Sequence, residues 1–263
     1  MNLKGFSGCE VELKNGKVIK TSPSFQYNDR LKKQRLKQSK FKSGLKFLST
    51  PKVLDSTENS FSMEYAAGKD FVSFLSEAGK KEIDKFSEDI FSYVQESISF
   101  SETQEIDSKV IKNKILQIYN KKKILCLLKF IDLLPDKLEI PIGTCHGDLT
   151  LSNIIFQKNK LILIDFLDGF IETPLIDVAK LRQDTRYKWS LDLYQKSFDK
   201  NKINISLDYL DVRLHDSFLS IKSYKKYYLL FQFLNFARIL PYTRKLKKIN
   251  YLRGVLSDIV SKL

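Results

Sequence analysis

The residues best suited to chemistry lie close together. They are His146-Gly147-Asp148-Leu149-Thr150-Leu151-Ser152-Asn153, followed by Leu161-Ile162-Leu163-Ile164-Asp165-Phe166. An Asp followed five residues later by an Asn, on a loop running into an apolar hairpin that ends in a second Asp, has the layout phosphoryl transfer requires. The first carboxylate, Asp148, can accept the proton of an attacking hydroxyl. Asn153 and Asp165 offer hard oxygen ligands of the kind Mg²⁺ prefers, and a hairpin between them would hold them together. A reactive Cys145–His146 dyad does not follow, because neighbours on an extended segment point to opposite sides.

Such a loop needs a scaffold, and the sequence outlines one. Val11 and Leu13 alternate with polar residues, Asn15-Gly16 supplies a type I′ turn, and Val18-Ile19-Lys20 resumes the strand. A basic helix is expected over residues 28–47, with Leu31, Leu36, Phe41, Leu45 and Leu48 as a loose apolar stripe, until Pro51 stops it. A second hairpin is expected around residues 56–59. Beyond Ala66-Ala67-Gly68 the pattern turns helical, with Ile83, Phe86, Ile90, Phe91, Val94 and Ile98 on one face. A polar stretch at 99–108, a helical segment over 109–134 and a connector bracketed by Pro135 and Pro141 follow. From Leu175 onward the pattern is again helical and rich in Tyr and Phe. The reading is an α+β chain with a small β-rich N-lobe over residues 1–66 and a larger helical C-lobe over residues 67–263, which contains the catalytic loop and the acceptor site. A ligand is expected in the cleft between the lobes.

The segment His146 to Asn153 with Ile164-Asp165-Phe166 resembles the catalytic region of the aminoglycoside phosphotransferase and choline kinase family, relatives of the protein kinases. Pro174-Leu175-Ile176-Asp177-Val178-Ala179 is similar to the family's next segment, and the likeness is concentrated in residues 144–184. It implies a two-lobed protein-kinase-like fold, with Asp148 as catalytic base and His146 orienting its loop. Asn153 and Asp165 would be the Mg²⁺ ligands and Asp177 a support behind the loop. Asp168 could approach the metal or the acceptor, or simply cap a turn. In the small lobe, Gly5 to Val11 resembles a shortened phosphate-covering loop, in which Gly5 and Gly8 would face ATP and Val11 would pack on adenine. Lys20 stands where the family places its phosphate lysine, and Met63-Glu64-Tyr65 resembles the adenine-binding hinge. The phosphate lysine normally pairs with a Glu on the first helix, but no acid lies between Arg30 and Asp55. Gln34, Gln38 or Asp165 remain as partners. Only four residues precede Gly5, so a first strand would be very short or absent.

Composition limits the rest. In 263 residues, 43% are hydrophobic and 12% aromatic, enough for a packed core and too much for a disordered chain. Three cysteines with no CxxC pair argue against a disulfide framework or a structural zinc site. The N-terminus has no apolar leader, and no apolar run reaches membrane-spanning length, so a cytoplasmic protein is expected. The formal charge is +14, but residues 30–46 carry eight Lys/Arg and no acid, and residues 217–257 carry nine and no acid. The remainder of the chain is slightly acidic. A tail without acids suits neither an aminoglycoside polycation nor choline or ethanolamine, although Asp208, Asp211 and Asp216 lie just upstream. A neutral or anionic hydroxyl acceptor, such as a sugar or sugar phosphate, fits better. Lysines and arginines coating outward helix faces, with the aromatics in the core, would give the same pattern. The rival function class is a nucleotide-binding pseudokinase or a basic binder of nucleic acid or anionic surfaces. The complete Asp148, Asn153 and Asp165 set speaks against degeneration.

Overall fold

The structure is a computed structural model that describes residues 2–3 and 8–263, with backbone only for Asn2, Leu3 and Leu193. Strands β1 (Asn2–Leu3), β2 (Glu10–Lys14) and β3 (Lys17–Thr21) lead into helix α1 (Asn28–Lys40). After it come β4 (Leu48–Ser49), β5 (Val53–Ser56) and β6 (Ser60–Glu64). The antiparallel sheet has the order β1-β2-β3-β6-β5. Its central turn is the expected one: Lys14 pairs with Lys17, and Asn15 and Gly16 have φ of 50° and 73°. Both positive φ values belong to a type I′ turn, where Asn and Gly are favoured. Cys9, Val18, Leu31, Phe61 and Met63 form a small core between this sheet and α1.

Helix α1 stops at Lys40, seven residues short of the expected end. Glu96 explains part of the change, accepting hydrogen bonds from the Ser43 hydroxyl and, at 2.7 Å, from the Gly44 N–H. The apolar residues beyond the helix turn to the large core, with the Phe41 ring 5.1 Å from that of Phe166. The expected stripe is also displaced. Leu36 is exposed, whereas Gln34 and Gln38 join Leu31 on the buried face.

The large core is built on α2 (Phe71–Glu77) and α3 (Lys80–Ser99), each begun by a carboxylate on backbone N–H groups. Asp70 accepts from Ser73 and Glu82 from Gly79. The polar stretch after α3 contains a strand. Strand β7 (Glu102–Asp107) pairs along its length with β8 (Lys137–Ile142), which occupies the stretch expected to be the Pro-bracketed loop. Only β8 sends Leu138 and Ile140 inward, so β7 carries almost no apolar signal. The expected helix over 109–134 is two, α4 (Lys109–Lys122) and α5 (Cys126–Leu133), separated at Lys123 by a left-handed φ of 52°. The hairpin of β9 (Ile154–Gln157) and β10 (Lys160–Leu163) falls where expected, and β10 also pairs in parallel with β4. Helices α6 (Pro174–Thr185), α7 (Lys200–Phe218), α8 (Lys222–Ile239) and α9 (Leu246–Val260) complete the body. Tyr224, Tyr227, Phe231, Phe233 and Phe236 are all buried in it, as core rather than cage. Among the described residues, no helix is long and apolar enough to cross a membrane.

Candidate active site

The loop between β8 and β9 is held from behind by α6. Thr173 caps α6, Pro174 occupies its first turn, and Asp177 follows in that same turn, fully buried. The two carboxylate oxygens of Asp177 accept from the backbone N–H groups of His146 and Gly147, both at 2.6 Å, and the Tyr93 hydroxyl donates to one of them at 3.1 Å. Burial pushes the Asp177 carboxyl up to about 6, against the lowering effect of those same hydrogen bonds. Gly147 has φ +84°, and a Cβ there would stand 1.9 Å from the Leu167 carbonyl oxygen, so only glycine fits.

His146 is fully buried and both ring nitrogens are occupied. Nδ1 accepts from the Asp148 N–H at 3.2 Å, which leaves Nε2 as the protonated nitrogen donating to the Ile164 carbonyl at 2.8 Å. The ring therefore joins the loop to the residue before Asp165. Desolvation brings its pKa down to about 4, so it stays neutral at physiological pH.

Asp148 receives the Lys180 ammonium at 3.0 Å and the Asn153 amide at 3.1 Å. Burial would raise its pKa, but Lys180 outweighs this with help from His146 and Asn153, and the carboxylate sits below its ordinary value. Asp165 has φ 61°, an uncommon conformation that Asp tolerates better than most residues. Its Oδ1 accepts from Lys20 at 3.0 Å, and Lys20 also donates to Gln34 Oε1 at 3.0 Å. Of the partners open for Lys20, the structure thus uses both Asp165 and Gln34. Gln38 binds the Pro51 carbonyl and Met63 Sδ instead.

These contacts leave particular atoms without protein partners. The Asn153 NH₂ bonds to Asp148, so its Oδ1 carries no hydrogen bond among the described residues, and neither does Asp165 Oδ2. Two hard oxygens suit Mg²⁺, which completes its shell with water and substrate phosphates. The donor set therefore fits the ion that the sequence implied.

The remaining expected nucleotide residues lie on the sheet. Val11 is paired with Lys20 across β2 and β3, and Met63 is buried in β6. The Glu64 N–H is bonded to the Lys52 carbonyl at 3.0 Å, and Tyr65 is half exposed. Gly8 is exposed just before β2, and Gly5 lies outside the described residues. Sequence reasoning missed four other residues. Lys180 touches Asp148. Asp184 accepts from the Leu151 N–H at 2.7 Å and the Ser190 N–H at 3.0 Å. Glu172 accepts from Lys37 at 2.6 Å and from the Gly169 N–H, and Lys37 also reaches the Leu167 carbonyl at 2.7 Å. Asp177, Lys180 and Asp184 are spaced three and four residues apart on α6, a helical-face signal that was available in the sequence. Asp168 stands 3.9 Å from Lys33, a partly exposed contact at the mouth of the loop.

The fold is protein-kinase-like. Residues 109–201 match the model of the APH group, described as the phosphotransferase enzyme family. Over 81 residues the chain is 32% identical to the KEOPS complex subunit Bud32 of Pyrococcus abyssi (strain GE5 / Orsay), covering 28% of this chain and 33% of that protein. The chain thus spans a third of the length of that curated relative. Similar solved structures cover nearly the whole chain. The ADP-bound aminoglycoside phosphotransferase APH(2'')-Ib is 18% identical at a TM-score of 0.53, covering 98% of this chain and 90% of that one. A thermostable mutant of APH(4)-Ia, in ternary complex with AMP-PNP and hygromycin B, is 13% identical at 0.61, covering 99% and 92%. A choline/ethanolamine kinase family protein from Mesorhizobium loti is 12% identical at 0.54, covering 98% and 87%. The resemblance read from the catalytic segment therefore extends to the fold.

Proposed function

We propose that the chain transfers the γ-phosphoryl group of ATP to a hydroxyl of a small molecule, a sugar or sugar derivative. The observation that carries this reading is that two polar pairs from separate elements, Asp148–Asn153 and Lys20–Asp165, are joined through the bonds of Ile164 with Asn153 and His146. Asp148, kept ionised beside Lys180, accepts the proton of the attacking hydroxyl as the new P–O bond forms and ADP leaves. His146 and Asp177 fix the loop that presents Asp148. Lys20 contacts the donor phosphates, with Gly5, Gly8, Val11 and the Met63-Glu64-Tyr65 segment around the nucleotide. Asn153 and Asp165 would hold Mg²⁺, which when bound neutralises charge on the phosphates. Residues 1–66 form the nucleotide side and residues 67–263 the catalytic and acceptor side. Three buried free thiols, Cys9, Cys126 and Cys145, accord with a reducing, cytoplasmic setting.

Of the acids just before the tail, Asp211 is buried against Arg182 and so closed to an ammonium group, whereas Asp208, 2.9 Å from Lys188, and Asp216 are exposed. The test is an ADP-release screen over sugars, sugar phosphates, amino alcohols and aminoglycosides. Asp148→Ala should bind ATP as before and lose about 10²- to 10⁴-fold in turnover, the range for a general base. Undiminished turnover in that variant would refute the reading.

A further inference from the structure

Most cations of the acid-free tail do what charge runs usually do. Lys222, Lys225, Lys226, Arg244 and Lys245 are exposed to solvent. Arg238 differs. It stands on the last turn of α8, half-buried, with its guanidinium 5.6 Å from the centroid of the Phe170 ring. Among the described residues it has no hydrogen bond and no ion pair. Phe170 lies on the loop that continues from Asp165 and Asp168, so Arg238 faces the catalytic side; burial lowers its pKa, and its titratable neighbours are, in order, Tyr242, Arg30 on α1, Asp148 and Asp168. Those carboxylates already have nearer cations, Lys180 at 3.0 Å for Asp148 and Lys33 at 3.9 Å for Asp168. Arg238 and Arg30 are left with no carboxylate of their own.

A guanidinium carries five N–H donors in a fixed fork. Partly removed from water and given no acceptor, it costs free energy until one arrives. A cationic acceptor would add repulsion here, and a neutral polyol would meet the donors without meeting the charge. A phosphate or carboxylate answers both, through paired N–H···O bonds. We infer that the acceptor carries an oxyanion group that docks on Arg238, placing one of its hydroxyls at Asp148. This rests on the phosphotransferase reading above and narrows its acceptor to phosphorylated or carboxylated polyols. Arg238 is then a specificity residue, with its guanidinium set against the Phe170 ring.

The experiment compares matched acceptors with ATP as donor: glycerol, glycerol phosphate and glycerate, then glucose, its terminal phosphate ester and glucuronate. In the wild-type protein an anionic member should exceed its neutral parent in kcat/KM by at least about tenfold, the equivalent of one modest charge-assisted contact. Whether the ester or the acid leads identifies the oxyanion. Arg238→Gln should lose that preference while the KM for ATP and the rate with the neutral parent stay as they were. Arg238→Lys, which keeps the charge without the fork, should fall between, and Lys245→Gln should behave as wild type. A neutral parent that matches its anions, or an unchanged preference in Arg238→Gln, overturns the inference. Calorimetry with AMP-PNP saturating the nucleotide site separates the two levels. Glycerol phosphate binding that weakens in Arg238→Gln, with no acceptor phosphorylated, would remove the phosphotransferase reading and leave the anion site. Absence of binding by every anion, alongside transfer to neutral acceptors, would remove the anion site and leave the phosphotransferase.

Discussion

Arg182 and Arg238 lie on neighbouring helices, α6 and α8, in very different company. Arg182 is buried and bonds both oxygens of Asp211 at 3.1 Å each, the Tyr224 hydroxyl at 3.0 Å and His215 at 3.1 Å. Thr185 adds a further bond to Asp211 at 2.8 Å. Every direction around that ion pair is answered from within, and the network ties α6, α7 and α8 together. The cleft is organised the other way. Its carboxylates and amide are anchored on one side, at Lys180, Lys20 and the Asp148–Asn153 contact, and its other polar atoms are left for something that is not protein. The contrast separates charge that holds the fold from charge that awaits a ligand, although Arg182 and Lys180 stand on the same helix, α6.

That contrast predicts separable effects. Arg182→Met leaves Asp211 buried without its cation and should cost about 3–5 kcal/mol in urea unfolding, with turnover of the folded fraction unchanged. Arg238→Met should stay within about 1 kcal/mol of wild type in the same measurement, since half-buried side chains with no partner contribute little to folding. Equal losses from the two would abolish the distinction. Within the cleft, Gln34→Ala removes a neutral hydrogen bond from the charged Lys20. The KM for ATP should rise roughly tenfold, the equivalent of about 1.4 kcal/mol, with little change in unfolding. No change in that KM would mean that Asp165 alone positions the lysine.

The smallest effect is in the pH dependence of stability. His146 has a folded pKa of about 4, below its ordinary 6.5, so the unfolded chain takes up a proton that the folded one refuses, and stability falls as pH drops through that window. Burial raises Asp177 and Asp184 to about 6 each, so the folded chain holds protons that the unfolded one releases, and stability rises on acidification through 6. The trends oppose each other. His146→Gln removes only the first, and relative to its own value at pH 7 it should gain more stability by pH 5 than wild type does. The difference should be below about 1.4 kcal/mol per pH unit. Parallel profiles would show that the imidazole titrates in the folded chain as it does in the unfolded one.

The sequence was most informative where chemistry is local. Asp148, Asn153 and Asp165 are joined by a short loop and a hairpin, so spacing alone was enough to group them, and the Asn15-Gly16 turn was fixed by its two residues. It was least informative where a partner comes from far along the chain. Nothing near Lys180 marks it as the companion of Asp148, and the contact of Lys37 with Glu172 joins residues 135 apart in the chain. Strand β7 has one apolar residue turned inward at most, so its pairing with β8 had no period to betray it. On α1 the pattern was inverted. Gln34 and Gln38 are buried because they serve Lys20, Pro51 and Met63, a reason that no hydrophobic count contains.

Helix α1 also has a mechanical meaning. Gln34 and Gln38 fasten it to the sheet, Lys37 fastens it to the loop beyond Asp165, and the chain that leaves it becomes the strand beside β10. A helix clamped at both walls cannot swing away alone without breaking polar contacts on one side. It works as a spacer of fixed length between the sheet and the loop, and the 3.0 Å contact of Lys20 with Asp165 is made without any nucleotide.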